Sequence, residues 1–533
     1  MSQNDEYIRA DEAEEVYDRD EDEPMDSDDE DQEQEQEQGQ EIILENDSTG
    51  HFDLHNDSVF CVAQHPIHNA IVASGSGDDT AYMFDTSPSG IDNRPLLPRS
   101  YESNPQQRNE RTSLEPILKM DGHTDSVNAI TFTEPKGEYV VTAGLDGKLR
   151  AWRDTTPQLT GLSWEFVGET QEVEEINWVA ACPCSKDDSE EEVEGKRNVV
   201  ALGANDGSAW VFRIDHTDTS QPVSIVQSFF QHTASCTAGA WTPDGKLLAT
   251  VSEDSSFYVY DVFGAAAAAG ISYSAGTSAV VGLTGDDQRF LVDGGLYSVA
   301  VAPTGSFAAV GGAEGCIRVV GLPRLPSAAA AANTTTKKSK GAASQAGGGG
   351  ASAAGVIIAS LQVQSDGIET LSISSPPLNL LASGSVDGSI ALFDTAHRFA
   401  VRRHIKEAHE GSAVVKLEFL HTPSSSPPPI AGAGIPRLAA RTHPATAAAT
   451  ATQGGRPWLL TSVGMDGVVR RWDARGGTTA AGQGLLKEWR GHVGVAENAE
   501  GEQSGGIMGF VQGFDGKRIV TAGDDGVVLI FEE

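Results

Sequence analysis

One pattern recurs eight times along this chain: a strand-like run, a second run ending in an acidic residue usually followed by glycine, and a third run closing on an aromatic. The fullest copies span 55–85, 123–153 and 232–261, where 24, 23 and 22 residues separate His55, His123 and His232 from the turn acids Asp79, Asp146 and Asp254. A unit this short cannot bury its own apolar face, so the copies must stack. Short alternating strands at a period of roughly 40 residues predict the blades of a β-propeller. The other copies span 172–213, 293–321, 366–394, 409–473 and 492–533, with turn acids Asp206, Glu314, Asp387, Asp466 and Asp525. The expected fold is all-β, an eight-bladed propeller.

The last copy stops at Phe531-Glu532-Glu533, directly after its third strand, and so lacks an outer strand of its own. The segment 48–54, where Phe52 and Leu54 alternate just before His55, is the candidate to supply it. A strand donated from the N-terminal side would close the ring and remove an exposed edge. Residues 48–533 then form one domain, although length alone would suggest three or four.

Charge divides the chain unevenly. The first 50 residues hold 22 Asp and Glu against Arg9 and Arg19, a net of −20, which is half of the −40 carried by all 533 residues. A stretch such as DSDDEDQEQEQE has almost nothing to bury and repels itself, so residues 1–47 are expected to be a disordered acidic tail. This balance disfavours nucleic acid as a direct ligand and favours a basic protein. No run of 18 apolar residues is present and the N-terminal region is acidic, which predicts neither a membrane span nor a secretory signal. Five cysteines without such a signal read as reduced thiols. Cys182-Pro183-Cys184 has no second Cys or His pair at ligand spacing and reads as a strand end, so no metal and no cofactor is expected.

The His, the turn acid and the terminal Trp-Asp pair, spelled out at Trp472-Asp473, resemble the WD-repeat family. In that family the loops between blades and between second and third strands open on the top face, and the other two sets open on the bottom. Long low-complexity stretches near 87–116, 263–292, 322–355 and 421–456, and the shorter 185–197, all fall in bottom loops on this frame and read as mobile linkers. The uncluttered top is the expected binding face. Residues just before the turn acids, or flanking the first apolar position of each first strand, project there: Asp78, Glu175, Glu253, Glu369, Asp524, Phe60, Tyr297 and Met508. Carboxylates interleaved with aromatic and thioether groups suit a Lys/Arg-rich peptide.

The repeat residues themselves are assigned to the fold. His55, His123 and His232 are expected to donate to a Ser or Thr of the second strand, with the turn acid accepting and an aromatic such as Trp152 packing alongside. They recur, whereas a catalytic group need occur only once, and no nucleophile motif or phosphate loop stands out, so an enzyme is not expected. A closer resemblance lies in the first blade: Ser58-Val59-Phe60-Cys61-Val62, His65-Pro66 and Gly77-Asp78-Asp79-Thr80-Ala81, after a long acidic N-terminus. This is similar to the WD-repeat group that contains the fungal ribosome-assembly chaperone of large-subunit ribosomal protein ten and the angio-associated migratory cell protein. The resemblance implies a monomeric cytoplasmic escort, with the nucleus as a second compartment. It would capture the basic N-terminus of that ribosomal protein on its top face and deliver it to the pre-60S particle, without a membrane. The rival reading is a WD-repeat adaptor in a ubiquitin-ligase, signalling or histone-binding complex.

Overall fold

The computed structural model describes residues 46–87, 113–155, 163–185, 188–274, 278–325, 354–420, 456–475, 484–494, 496–497 and 503–533. The acidic tail and the interiors of the insertions, 88–112, 326–353 and 421–455, lie outside them. Eight four-stranded antiparallel sheets follow one another as blades, with strands a to d running outward from the channel. Blade 1, for example, has a at Val59–Gln64, b at Ile71–Ser76, c at Ala81–Asp85 and d at Pro116–Met120.

Strand position decides composition. The b strands, such as Tyr139–Gly144, Leu247–Ser252 and Leu459–Gly464, are buried along their whole length, because a neighbouring blade covers both faces, and they read as continuous runs of apolar and small residues. The d strands form the rim and alternate, as in Ile357–Gln362. Blades converge towards the axis, which demands small residues there. A Cβ on Gly75 would come within 2.7 Å of Val127 of the next blade, and one on Gly384 equally close to Val414.

The eighth sheet is completed from the other end of the described chain. Gly50–Phe52 pairs with Val528–Glu532 in the register Gly50 with Ile530, His51 with Leu529 and Phe52 with Val528. The closing segment also reaches both neighbouring blades. The backbone of Asp47 donates to Arg490 O at 2.7 Å in blade 7, and that of Leu114 donates to His51 O at 2.9 Å from blade 1. Phe52 is fully buried, stacked on Phe84 with centroids 4.5 Å apart.

The buried polar network differs from expectation in two respects. In blade 2, His123 Nδ1 lies 3.0 Å from Asp146 and Nε2 lies 2.8 Å from Thr142 Oγ1. A carboxylate only accepts, so the proton of the neutral ring sits on Nδ1 and the threonine hydroxyl donates to Nε2, the reverse of the predicted direction. His409 with Asp466 and Ser462, and His492 with Asp525 and Thr521, repeat the arrangement, and in blade 7 Trp472 Nε1 also donates to Ser462 Oγ at 2.9 Å. In blade 4 Ser256 is interposed between His232 and Asp254.

In blade 1 the acid facing His55 Nδ1, at 3.4 Å, is Asp78, not Asp79. Asp78 also accepts the backbone N–H of Asn56 at 2.9 Å. Asp79, with φ of 61°, fills the left-handed position that Gly147 and Gly526 take in blades 2 and 8. The sequence frame was slipped by one residue there, because two adjacent aspartates offer the same signal. Blades 3, 5 and 6 lack the histidine. In blade 6 Gln364 stands in, with Nε2 donating to Ser389 O at 2.8 Å, while Asp387 accepts the Ser365 N–H. Asp206 caps its own turn by accepting from the backbone N–H and hydroxyl of Ser208.

Two bottom stretches read as linkers contain regular structure. Within 185–197 lies the helix Glu190–Lys196, with a full capping box between Ser189 and Glu192. Its Lys196 is buried against Asp188 at 2.5 Å and Asp244 O at 2.7 Å. Within 263–292 lie a short helix Ala265–Ala268, the outer strand Ala279–Leu283 of blade 4, and buried Phe290 and Val292. The stretch is therefore not one bottom loop, since residues 284–292 follow the outer strand and lead to blade 5 on the top side. Alanine and glycine there masked the strand, which pairs with Phe257–Asp261.

Candidate functional site

Each a strand carries a register shift after its first residue, so that the second residue bulges towards the channel mouth: Phe60, Asn128, Asn177, Thr237, Tyr297, Glu369, Val415 and Met508, one per blade. Bulges re-aim side chains. The sequence frame had picked four of these, Phe60, Tyr297, Glu369 and Met508. Applied with equal strictness to every blade it would have found the others, and also Met465, which precedes Asp466.

The eight positions are not equivalent. Asn128 Nδ2 donates to Ile176 O at 2.6 Å, Asn177 Nδ2 to Cys236 O at 3.1 Å and Thr237 Oγ1 to Leu296 O at 2.7 Å, each sewing its blade to the next. That arc of the mouth, blades 2 to 4, spends its polar groups on the ring itself. The remaining arc, blades 5 to 8 and 1, presents Tyr297, Glu369, Val415, Met508 and Phe60, which among the described residues make no such tie to the next blade; the Tyr297 hydroxyl donates to the nearby Gly294 O.

Tyr297 sits in the field of two carboxylates. Burial first, then the Glu253 and Glu369 charges, push its phenol above the ordinary range. A Cβ on Gly367 would lie 3.6 Å from Glu369 Oε1 and 4.0 Å from Tyr297 Cδ2, which places the two side chains together across blades 5 and 6. Desolvation at the mouth, reinforced by Asp366, raises the Glu369 carboxyl above the usual carboxylate range. An anion held this way gains from a cation set beside it.

The other predicted acids stand apart. Asp78 belongs to the blade 1 network. Asp524 accepts the Ser58 hydroxyl at 2.5 Å and the Gly505 N–H at 2.6 Å, stitching blade 8 to blade 1. Glu175 is exposed and accepts from Asn205 Nδ2 at 2.9 Å, in an acidic hollow over blade 3 with Glu172, Glu174 and Asp206. What the structure brings together is therefore Glu253, Tyr297 and Glu369 on one side of the open arc, and the apolar Val415, Met508 and Phe60 farther round it. No helix among the described residues is long and apolar enough to cross a membrane.

Comparison with known proteins agrees with the fold. The WD domain, G-beta repeat family matches residues 46–85, 114–153, 223–261 and 355–394. The crystal structure of Chaetomium thermophilum Sqt1 bound to the N-terminus of the ribosomal protein L10 is 46% identical and covers 92% of this chain and 100% of its own, with a TM-score of 0.70. The ribosome assembly protein SQT1 of Saccharomyces cerevisiae is 28% identical over 228 residues, which is 42% of this chain and 43% of that protein. Human angio-associated migratory cell protein is 23% identical over 495 residues, 91% of this chain and 80% of its own length.

Proposed function

The chain belongs to the Sqt1 family of WD-repeat propellers, and on that premise we propose that it escorts a newly made large-subunit ribosomal protein by holding its basic N-terminal segment across the top face. The observation that carries this reading is the triad on the open arc, Tyr297 between two carboxylates that form no ion pair among the described residues, Glu253 and Glu369. Lysine and arginine ammonium or guanidinium groups would neutralise the carboxylates, and the Tyr297 ring offers a face for the same cations. Apolar side chains of the peptide would settle on Phe60, Met508 and Val415. Client identity rests on the relative, whose solved complex holds the N-terminus of ribosomal protein L10. The molecule acts by binding alone, with delivery to the pre-60S particle and a cytoplasmic or nuclear location as corollaries. The acidic N-terminal stretch would raise the encounter rate by long-range attraction.

Titration calorimetry with a synthetic L10 N-terminal peptide tests the proposal. Glu253→Lys and Glu369→Lys are expected to abolish binding while leaving thermal unfolding nearly unchanged, since both side chains reach solvent and neither is ion-paired among the described residues. Added salt should weaken the wild-type complex without eliminating it. Unchanged affinity in both variants would refute the assignment. Affinity purification at mild salt that returned cullin-associated subunits, signalling factors or histones in place of one ribosomal protein would instead favour an adaptor.

A further inference from the structure

A cleft of about 290 Å3 opens where blades 1, 2 and 3 meet on the face opposite the candidate peptide site. Its walls come from three a–b loops and the ends of two c strands, and bring His68, Lys136, Arg153, Arg197 and His216 together. On a chain with a net charge of −40, three Lys and Arg side chains stand here beside two acids, Glu138 and Asp154.

The groups divide into committed and free. Arg197 is committed to Glu138, with Nε 3.1 Å from Oε2, and Asn198 Nδ2 donates to the same carboxylate at 2.8 Å. Lys136 is exposed, and among the described residues no carboxylate lies within ion-pair distance of it. Among the described residues, the acidic partner of Arg153 is Glu165 at 3.9 Å. The Tyr139 hydroxyl accepts the His216 backbone N–H at 3.2 Å and lies 2.7 Å from Nδ1 of the same residue, which anchors the ring through that nitrogen. Tyr139 is itself buried, so the orientation is built into the core of blade 2. Glu138 being taken up, Asp154 is the one other carboxylate on the walls.

We propose that this cleft binds a phosphate-class oxyanion, with Lys136 and Arg153 as charged partners and the His216 ring as a further hydrogen-bond partner. A tetrahedral oxyanion has acceptors on several sides and suits donors converging from three loops, whereas a single carboxylate is served by one fork. Free phosphate and the phosphodiester backbone of an RNA strand share this chemistry.

The test uses the full chain, with inorganic phosphate and a short oligouridylate as probes, each against chloride at matched ionic strength, read by calorimetry. Saturable binding is expected, and Lys136→Glu and Arg153→Ala should each weaken it ~10-fold or more, the worth of one charge-assisted hydrogen bond. Neither change should alter affinity for the basic peptide on the top face. Tighter binding of the oligonucleotide assigns the site to a backbone phosphate, and tighter binding of inorganic phosphate assigns it to the free ion. No saturable response to either probe, or wild-type affinity in Lys136→Glu, overturns the proposal.

Discussion

Removing the closing strand should loosen the whole ring, and its largest single component can be isolated with Phe52→Ala. Phe52 is fully buried, stacked on Phe84 with rings 16° from parallel and tilted against Tyr82 at 5.3 Å. Truncating a phenylalanine in such a setting costs about 3–5 kcal/mol, transfer and cavity together. Deleting residues 1–54 also removes the backbone bonds from Thr49 to Ile530 O and from Asp47 to Arg490 O, both 2.7 Å, each worth about 1 kcal/mol net. The truncation removes the Phe52 contribution together with these bonds and leaves a newly exposed edge on blade 8. A domain is typically stable by only 5–15 kcal/mol, so the loss is large on that scale. Urea unfolding measures it, and hydrogen exchange locates it, with the amides of 528–532 losing protection first. Deletion of residues 1–40 serves as the control and should leave the midpoint nearly in place. Equal midpoints for the two deletions, or a cost below ~1 kcal/mol for Phe52→Ala, would refute the closure argument.

Burial depresses His65 and His232 to about 4, from 6.5 in the unfolded chain. The unfolded chain therefore takes up protons first as pH falls, so this stability is complete above pH 6.5 and is lost between 6.5 and 4. It is on the order of 3 kcal/mol per residue, and urea midpoints measured across that range should slope less steeply in His232→Gln. Lys196→Ala strands buried Asp188 without its partner and should cost about 3–5 kcal/mol in the same assay, whereas the solvent-facing Lys517→Ala should be near neutral. Replacing residues 326–353 or 421–455 with short Gly-Ser links should preserve both melting temperature and peptide affinity, because both leave from bottom loops. Loss of peptide binding by a well-folded variant would place the site on the wrong face.

Periodicity is local, and what depends on it was legible in the sequence. Eight copies of one supersecondary unit predict a ring because no unit can bury its faces alone and an unpaired edge is costly. The alternation of Phe52 and Leu54 just before the first copy marked the closing strand, found at Gly50–Phe52. A strict repeat frame likewise reaches the channel-mouth positions, because the bulge recurs at the same place in every blade. The helix at 190–196 was also readable, from Ser189 and Glu192 three residues apart, but acidic composition drew the reading towards a linker. Other decisions belong to the tertiary structure alone. Whether Asp78 or Asp79 faces His55 depends on the turn between two strands, and adjacent aspartates look alike until the backbone places one of them at positive φ. Whether a bulge residue is free or spent depends on the neighbouring blade: Asn177 and Glu369 occupy the same place in the repeat, yet one is tied to Cys236 O while the other keeps an open carboxylate. Hydrogen-bond partners 59 residues away, as for Asn177 and Cys236, leave no periodic trace, so only the packed ring decides which arc of the mouth remains available to a ligand.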